Sequence, residues 1–466
     1  MEDYKDAEME EDIGNDYGEQ PDQAWADMED DINPQEEEVY DDLTGKILKY
    51  EKVIEARIDE IKALVKMGVW ETVPLASCLS RTQRRPIRAR WVDINKGDDK
   101  TEVYRSRYVA REIRGQHGGS AREGLFAAMP PLEALKILIS KTVSRIGVKK
   151  GGTHKLMFMD ISKAYLHADV IDQDLYVELP KEMHMPHMCG HLRKALYGTR
   201  EAAKCWEREY SRTFAEMGFI KGKSNPCIFR HRDKDCVIFI HGDDIVVSGS
   251  EEHLEEIRRV ICDKYLTKVR GIVGPEERDD KSMVILNRIL EWGPRGITLE
   301  ADPRHVELVL KEMGMENCNG SEVVGSQANA SDEEKLGREE TKQFRSLAAR
   351  CNFLAADRVD IQYACKEICR RMSAPCKSDW DLLKKLARYL KSHPRMIMKF
   401  EYQKPVDRLN IIVDTDYAGC RRTRRSTNGG LAMLGNHIVK SWATTQTVIA
   451  LSSGEAEYYG VTKGSM

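Results

Sequence analysis

Two neighbouring aspartates lie where two short apolar runs meet. In the stretch CVIFIHGDDIVVSGS, Asp243 and Asp244 separate the run that begins at Cys236 from the run that follows. Gly and Asp also favour ordinary hairpin turns, so the pair has a purely structural explanation. Like charges in partly desolvated surroundings, however, destabilise each other unless a cation or a proton compensates. The apolar flanks therefore favour a cation, and Mg²⁺ binds carboxylate and phosphate oxygens.

A further carboxylate ends another apolar run. Asp160 closes the segment LMFMD much as Asp243 follows IFIHG. If the two runs are strands of one sheet, Asp160 lies beside Asp243. Sites with two metal ions about 3.5–4 Å apart clamp the attacking and leaving oxygens of a phosphoryl transfer. The sequence therefore predicts a two-metal site for phosphoryl transfer.

The elements that must position these residues are helices alternating with short strands. Apolar residues recur at helical spacing from Ile54 to Val65, and RWVDINKGDDKTEVYRSRYVAREI is typical of a hairpin. The segment that ends at Asp160 begins as a buried strand. Further patterns predict helices at 130–147, 200–219 and 251–266 and a hairpin at 236–249. Strands, helices and a hairpin around carboxylates indicate an α+β domain.

The C-terminal third has a different organisation. Residues 323–335 are small and polar, as in a linker, and residues 339–392 show mostly helical patterns. A strand-rich segment follows Pro405. We find no internal repeat.

Charge is distributed unevenly along the 466 residues. Residues 1–42 contain 19 Asp and Glu against one Lys, a net charge of −18, whereas the remaining chain carries 72 Lys and Arg against 58 Asp and Glu, or +14. The acidic segment is expected to be disordered. The basic body is compatible with binding a polyanion. No apolar run approaches the roughly 20 residues of a membrane helix, and the acidic start does not fit a signal peptide.

The 12 cysteines are scattered and are interpreted as reduced thiols. One short segment, HMPHMCGH, combines residue types that bind zinc. Its spacing matches no strong zinc pattern, so we do not expect a metal there. The members of that segment are His184, His187, Cys189 and His191.

The order of three motifs, MDISKAYL, LRKALYGTREAAKCW and FIHGDD, resembles the reverse transcriptases of copia-type LTR retrotransposons. The arginine-rich hairpin is similar to the fingers of that family. FRSLAARCNFLAADRVDIQYACKEICRRM is similar to its helical region after the polymerase, and VDTDYAG, RRSTNGG and ALSSGEAEYYG are similar to its ribonuclease H. The resemblance extends over nearly all of the chain after the acidic segment.

This resemblance implies a right-hand polymerase of fingers, palm and thumb, then a helical connection and a partial ribonuclease H-like α/β domain. The implied boundaries are an acidic disordered tail at 1–42, a reverse transcriptase at 43–320, a linker at 321–338, the connection at 339–405 and the ribonuclease H-like part at 406–466.

The resemblance also implies roles for particular residues. Asp160 and Asp243 would bind two catalytic Mg²⁺ ions, or Mn²⁺ in their place, and Asp244 would complete the carboxylate set. The usual Tyr-x-Asp-Asp motif begins here with His241 and Gly242, which bears on contact with the primer end rather than on the type of reaction.

Three residues are implied to contact the incoming nucleotide. Tyr165 would screen the 2′ position of its sugar, Arg107 would contact its triphosphate, and Gly198 in LYG would support the template and the nucleotide. Two of them have a structural alternative, because Tyr165 suits ordinary packing and arginines on a hairpin commonly form a solvated edge.

The resemblance further implies that Asp414 and Glu455 match the first two metal-binding carboxylates of ribonuclease H. Acidic residues at strand and helix ends also serve as caps. Because the chain ends at Met466, before the remaining aspartates of such a site, we expect a truncated domain without ribonuclease H activity.

The leading hypothesis is therefore an RNA-directed DNA polymerase that transfers nucleotides from dNTP to a primer 3′-hydroxyl. Its partners would be an RNA template, a DNA primer, their RNA–DNA hybrid and dNTP, with no membrane, and it would be intracellular, in the cytoplasm or nucleus. Two alternatives are a non-catalytic nucleic-acid-binding remnant of such an element and an unrelated palm-type polymerase.

Overall fold

The computed structural model describes residues 38–97, 101–113, 125–144, 153–324 and 334–466. Most of the predicted acidic tail and the middle of the predicted linker lie outside these ranges. No helix in the described ranges is both long enough and apolar enough to cross a membrane.

The described residues form a mixture of helices and mostly antiparallel strands, as an α+β fold requires. Helices α1 to α10 lie at Tyr50–Lys66, Leu75–Thr82, Leu132–Val143, Ala202–Glu216, Glu251–Lys264, Arg304–Glu312, Arg338–Ala355, Gln362–Cys369, Lys377–Ser392 and Ser453–Ser465. Strands β1 to β20 lie at Val39–Tyr40, Ile47–Leu48, Trp70–Pro74, Ala89–Asn95, Tyr104–Ala110, Lys155–Ile161, Tyr176–Val177, Met188–Leu192, Ile220–Lys221, Ile228–His231, Cys236–His241, Asp244–Gly249, Thr267–Val273, Ser282–Ile285, Arg288–Gly293, Gly296–Ala301, Ile397–Glu401, Leu409–Thr415, Thr427–Leu434 and His437–Thr445.

Within the described residues, the helices and hairpins that the apolar spacing predicts are confirmed; positions 145–147 of the helix predicted at 130–147 lie outside those residues. In α1, Ile54, Ile58 and Ile61 are buried on one side of the helix, as their spacing indicates. The arginine-rich segment forms the antiparallel hairpin β4–β5, with Val92 opposite Arg107.

The chain divides into two compact units. The first contains Met1–Ala128 and Ile161–Phe219. Its described strands form the pair β1–β2, the hairpin β4–β5 and the sheet β3–β8–β7. One core cluster includes Leu64 of α1, Tyr108 of β5 and Leu196, so the helix, the hairpin and the segment around Leu196 share one apolar core.

The second unit contains Met129–Asp160 and Ile220–Met466. Its six-stranded sheet has the order β13-β6-β12-β11-β10-β9, which places β6 and the β11–β12 hairpin side by side. A four-stranded sheet has the order β14-β15-β16-β17, and a three-stranded sheet has the order β18-β19-β20.

Two core clusters stabilise the second unit. In the first, Leu135 of α3 packs with Phe158 of β6 and Phe239 of β11. In the second, Val309 of α6, Leu347 of α7 and further residues of α8 and α9 pack together, and this cluster contains much of the predicted helical connection.

The last residues of the predicted acidic tail, 1–42, contact the first folded unit. Val39–Tyr40 pair with β2, and the buried Asp41 carboxylate accepts hydrogen bonds from the backbone N–H groups of Leu43 and Asn95. Burial alone would raise the pKa of Asp41, but the hydrogen bonds outweigh it and lower the pKa. The last acidic residues therefore satisfy backbone donors of the folded unit, which composition does not reveal.

The segment 339–405 is not wholly helical. Its residues Ile397–Glu401 form β17, which pairs with β16, and Leu299 lies opposite Met398. This strand joins the predicted connection to the predicted polymerase segment through backbone hydrogen bonds.

Candidate active site

Asp243 and Asp244 lie at the tip of the β11–β12 hairpin. His241 at the end of β11 is paired with Asp244 at the start of β12, so Gly242 and Asp243 form a two-residue turn. Gly242 has φ +66, a left-handed conformation that glycine adopts without steric cost. The apolar strands on both sides fix the turn at the edge of the buried sheet.

Asp160 lies next to this hairpin. In the antiparallel pairing of β12 with β6, Asp244 is directly opposite Asp160. Residues directly opposite each other in such a pair project to the same face, with Cβ atoms about 4.5–5.5 Å apart. Asp160, Asp243 and Asp244 are all half-buried. The structure therefore places the three predicted metal-binding residues at one end of one sheet.

An arginine also contacts this group. Nη1 of Arg270, on β13, is 3.7 Å from Oδ1 of Asp244, and β13 lies beside β6 in the sheet. A positive charge at this distance partly compensates the repulsion between the aspartates. Arg270 gives no signal in the sequence, because no local pattern links it to the earlier β11–β12 hairpin.

The side chains are not arranged as a complete metal site. Among the described residues, no three His, Cys, Asp or Glu side chains converge closely enough to hold a metal ion. The donor set nevertheless fits Mg²⁺ chemically, because carboxylates are the hard oxygen ligands that this ion prefers.

The residues of HMPHMCGH lie in the first unit. Cys189 is buried in a small cluster with Cys78 and Tyr176, and the ring of His191 stacks on Tyr176 with centroids 4.4 Å apart. Nε2 of His191 is 2.6 Å from the Gln173 carbonyl oxygen. Packing and hydrogen bonding thus account for two of the four candidate ligands.

Two of the predicted nucleotide-contacting residues share one neighbour within the first unit. The Tyr165 and Tyr197 rings have centroids 5.1 Å apart, and the Arg107 guanidinium is 5.3 Å from the centroid of Tyr197. The face of an aromatic ring attracts a cation at this distance. Tyr197 thus holds Arg107 and Tyr165 on one small surface, a role that the LYG motif alone does not indicate.

Gly198 has a structural reason to be glycine. Its φ is +82, and an added Cβ would lie 1.9 Å from the carbonyl oxygen of Ala110. The Ala110 N–H donates a 2.7 Å hydrogen bond to the carbonyl of Tyr197. The LYG segment therefore packs against the end of β5 by backbone contact, which a side chain at Gly198 would prevent.

The predicted ribonuclease H residues lie in the second unit. Asp414 is an exposed residue near the end of β18. Glu455 lies in the first turn of α10, where its carboxylate accepts hydrogen bonds from Leu451 N–H at 2.7 Å and from Tyr459 Oη at 2.9 Å. Glu455 thus stabilises the start of a helix, as the alternative interpretation describes.

Comparison with known proteins supplies the decisive observation. Residues 69–279 match the family model described as reverse transcriptase (RNA-dependent DNA polymerase). The chain is 30% identical over 223 residues to an uncharacterized mitochondrial protein of Arabidopsis thaliana, and this match covers 47% of the chain and 88% of that protein. It is 23% identical over 429 residues to the retrovirus-related Pol polyprotein from transposon TNT 1-94 of Nicotiana tabacum, and 25% identical over 435 residues to that from transposon RE1 of Arabidopsis thaliana. The chain belongs to the copia-type retrotransposon reverse transcriptases.

The polyprotein matches cover 88% and 90% of this reverse transcriptase chain but only 30% and 28% of the two polyproteins. The chain therefore spans less than a third of the length of these relatives. A solved structure of a foamy viral protease-reverse transcriptase in complex with double-stranded DNA has a TM-score of 0.48 and 9% identity, covering 88% of this chain and 59% of that one.

The reverse transcriptase family model includes the aspartates at the end of the six-stranded sheet. Asp160, Asp243 and Asp244 all lie within residues 69–279, whereas Asp414 and Glu455 lie outside them. The family that the motif order predicts is confirmed. The roles of individual residues stay predictions.

Proposed function

We propose that this chain is an RNA-directed DNA polymerase that extends a DNA primer on an RNA template. The observation that carries the proposal is the register of β6 and β12, which sets Asp160 opposite Asp244 with Asp243 in the adjoining turn. Membership of the reverse transcriptase family supports the same reaction.

In the proposed reaction, the primer 3′-oxygen forms a bond to the α-phosphorus of the dNTP. The bond between that phosphorus and the pyrophosphate oxygen breaks, and the 3′-hydroxyl proton is released. Asp160, Asp243 and Asp244 would hold Mg²⁺, which would supply positive charge for deprotonation of the 3′-hydroxyl and for departure of the pyrophosphate. Two Mg²⁺ ions, or Mn²⁺ in their place, fit this reaction class.

The residues of the chain have distinct proposed tasks. Asp160, Asp243 and Asp244 supply hard oxygen ligands, and Arg270 limits the repulsion among them before a cation binds. By resemblance to the family, Arg107 binds the triphosphate and Tyr165 disfavours a 2′-hydroxyl. Contact of Arg107 with the Tyr197 ring supports this task, because it restricts the orientation of the guanidinium.

By the same resemblance, fingers, palm and thumb precede a connection and a ribonuclease H-like part. The antiparallel order β18-β19-β20 followed by α10 is compatible with the first elements of such a domain. The proposed partners are the RNA template, the DNA primer, their hybrid and dNTP.

Primer extension on an RNA template with Mg²⁺ tests the proposal. We expect extension by the parent and loss of extension in Asp243→Asn, with binding of the primer–template retained. Asp233→Asn is a matched control, because Asp233 is an exposed aspartate in the β10–β11 turn of the same sheet. Equally little extension by all three proteins, with binding retained, would instead support a non-catalytic nucleic-acid-binding remnant.

A further inference from the structure

The loop between β18 and β19 carries an unusual concentration of positive charge. Residues 421–425, RRTRR, are named here the arginine loop. All four of its arginines are exposed, and within the described part of the chain none of them forms an ion pair. Some other arginines of the same unit do pair with carboxylates. These paired arginines are Arg258, Arg259, Arg278 and Arg304.

The arginine loop is held in place by its own backbone. The Arg424 N–H donates to the Cys420 carbonyl at 2.7 Å, and the Cys420 N–H donates to the Arg425 carbonyl at 3.1 Å. Beside these bonds, the Ala418 N–H donates to Ser426 Oγ at 3.0 Å. The four guanidinium groups therefore project from a defined backbone, which reduces the entropy that binding would cost.

Helix α8 packs against the base of the arginine loop and adds positive charge. Nη2 of Arg370 lies 2.7 Å from Sγ of Cys420, and Nζ of Lys366 lies 2.8 Å from Oγ1 of Thr427. The carboxylate of α8 at this place, Glu367, already forms ion pairs with both cations. It therefore does not compensate the charge of the arginine loop.

Four positive charges within five residues repel one another unless an anion lies near them. A single small anion would neutralise only part of this charge, whereas a polyanion with regularly spaced charges would neutralise more of it. Arginine also binds phosphate oxygens with two parallel hydrogen bonds, which lysine does not. The composition and the geometry of the loop therefore favour a phosphodiester backbone.

We propose that the arginine loop binds the sugar–phosphate backbone of a nucleic-acid duplex. This inference rests on the proposed function for the identity of the duplex, which is the primer–template of the polymerase. Contacts to phosphates fix the position of a protein on a duplex without reading its sequence. The arginine loop is therefore a surface of the second unit that positions the duplex. It lies outside residues 69–279, which the reverse transcriptase family model matches.

The salt dependence of duplex binding tests this assignment. Each phosphate contact contributes about 0.9 to the slope of log K against log salt on B-form DNA. A variant with all four loop arginines changed to Gln should lose about 2–4 from the slope and bind about 10- to 100-fold more weakly at physiological salt. The control changes the four ion-paired arginines Arg258, Arg259, Arg278 and Arg304 to Gln, which removes the same net charge.

Binding is measured by fluorescence anisotropy on an RNA–DNA hybrid, on duplex DNA and on phosphatidylserine vesicles, with the full chain. The inference holds if the loop variant loses slope on both duplexes and the control does not. It is overturned if both variants lose equal slope, or if the loop variant loses affinity only for vesicles. Should the fourfold variant not fold, Arg421→Gln and Arg425→Gln should each lose about 1 from the slope.

The two proposals fail in different ways. In one case, the slope is unchanged in the loop variant while the parent extends primers and Asp243→Asn does not. That result would contradict duplex binding by the arginine loop and leave the proposed polymerase activity in place. A reduced slope in the loop variant, with equal extension by the parent and Asp243→Asn, would support duplex binding by the arginine loop and contradict the proposed polymerase activity.

Discussion

Asp244 lies directly opposite Asp160 in the antiparallel pairing of β12 with β6, so two carboxylates distant in sequence share one edge of a sheet. Both are half-buried, and Arg270 is 3.7 Å from Asp244. Repulsion between the two carboxylates lowers the free energy of unfolding when no cation is bound. This effect can be measured by unfolding, without an assay of activity.

Neutralising Asp160 should stabilise the cation-free protein and abolish its stabilisation by Mg²⁺. Asp160→Asn removes a like charge directly opposite Asp244, a change of about 0.2–1 kcal/mol in the free energy of unfolding. Thermal unfolding with and without Mg²⁺ measures both effects. Mg²⁺ should raise the Tm of the parent and of Asp233→Asn, and that of Asp160→Asn much less. An equal Mg²⁺-dependent shift in all three proteins would contradict metal binding at Asp160.

Gly242→Ala should lower the free energy of unfolding by about 1 kcal/mol, because alanine is strained at φ +66. No atom lies within 4 Å of the added Cβ, so strain is the sole cost. Gly242→Asn is the matched variant, since asparagine tolerates this conformation better. Denaturant unfolding distinguishes them, and equal losses in both variants would show that the turn does not impose this φ.

Gly198→Ala should cost about 2–4 kcal/mol, because its Cβ would overlap the Ala110 carbonyl and its φ is positive. Gly68→Ala is the control, since Gly68 has φ +63 and nothing within 4 Å of an added Cβ. The control should lose only about 1 kcal/mol. Similar losses in the two variants would mean that LYG does not approach β5 as closely as described.

The thiol of Cys420 should react as a thiolate near neutral pH. Burial alone would raise the pKa of Cys420, but hydrogen bonds from Thr423 and Arg370 outweigh it and lower the pKa to about 7. The lowered pKa adds stability that is fully present above the pKa of the unfolded thiol and is lost as the pH falls through about 7. Alkylation followed by peptide mass spectrometry should give a midpoint near pH 7. In Arg370→Gln the midpoint should move upward, and an unmoved midpoint would exclude Arg370 as a cause.

Local patterns predicted the parts of the fold that depend on local chemistry. Short strand-like runs joined by Gly-Asp turns predicted the two hairpins, and i, i+3, i+4 spacing predicted α1. The apolar runs before Asp160 and Asp243 also predicted that these aspartates lie near each other in one sheet, and the structure places Asp160 opposite Asp244, next to Asp243.

What the sequence did not predict depends on contacts between distant segments. Arg270 reaches Asp244 from another strand, and Tyr197 receives Arg107 from the β4–β5 hairpin. Asp41 looked like part of a solvated acidic tail, yet its carboxylate accepts a hydrogen bond from Asn95. Such contacts leave no periodic signal in the sequence, because each depends on how separate helices, strands or loops pack against each other.

Metal-dependent catalysis at Asp243 is measured by the rate of a single dNTP addition to a primer on an RNA template as Mg²⁺ is titrated. We expect a rate that saturates with Mg²⁺ in the parent and falls by about 10²-fold or more in Asp243→Asn, with Asp233→Asn equal to the parent. Addition by Asp243→Asn at the parental rate, with the parental dependence on Mg²⁺, would contradict this expectation.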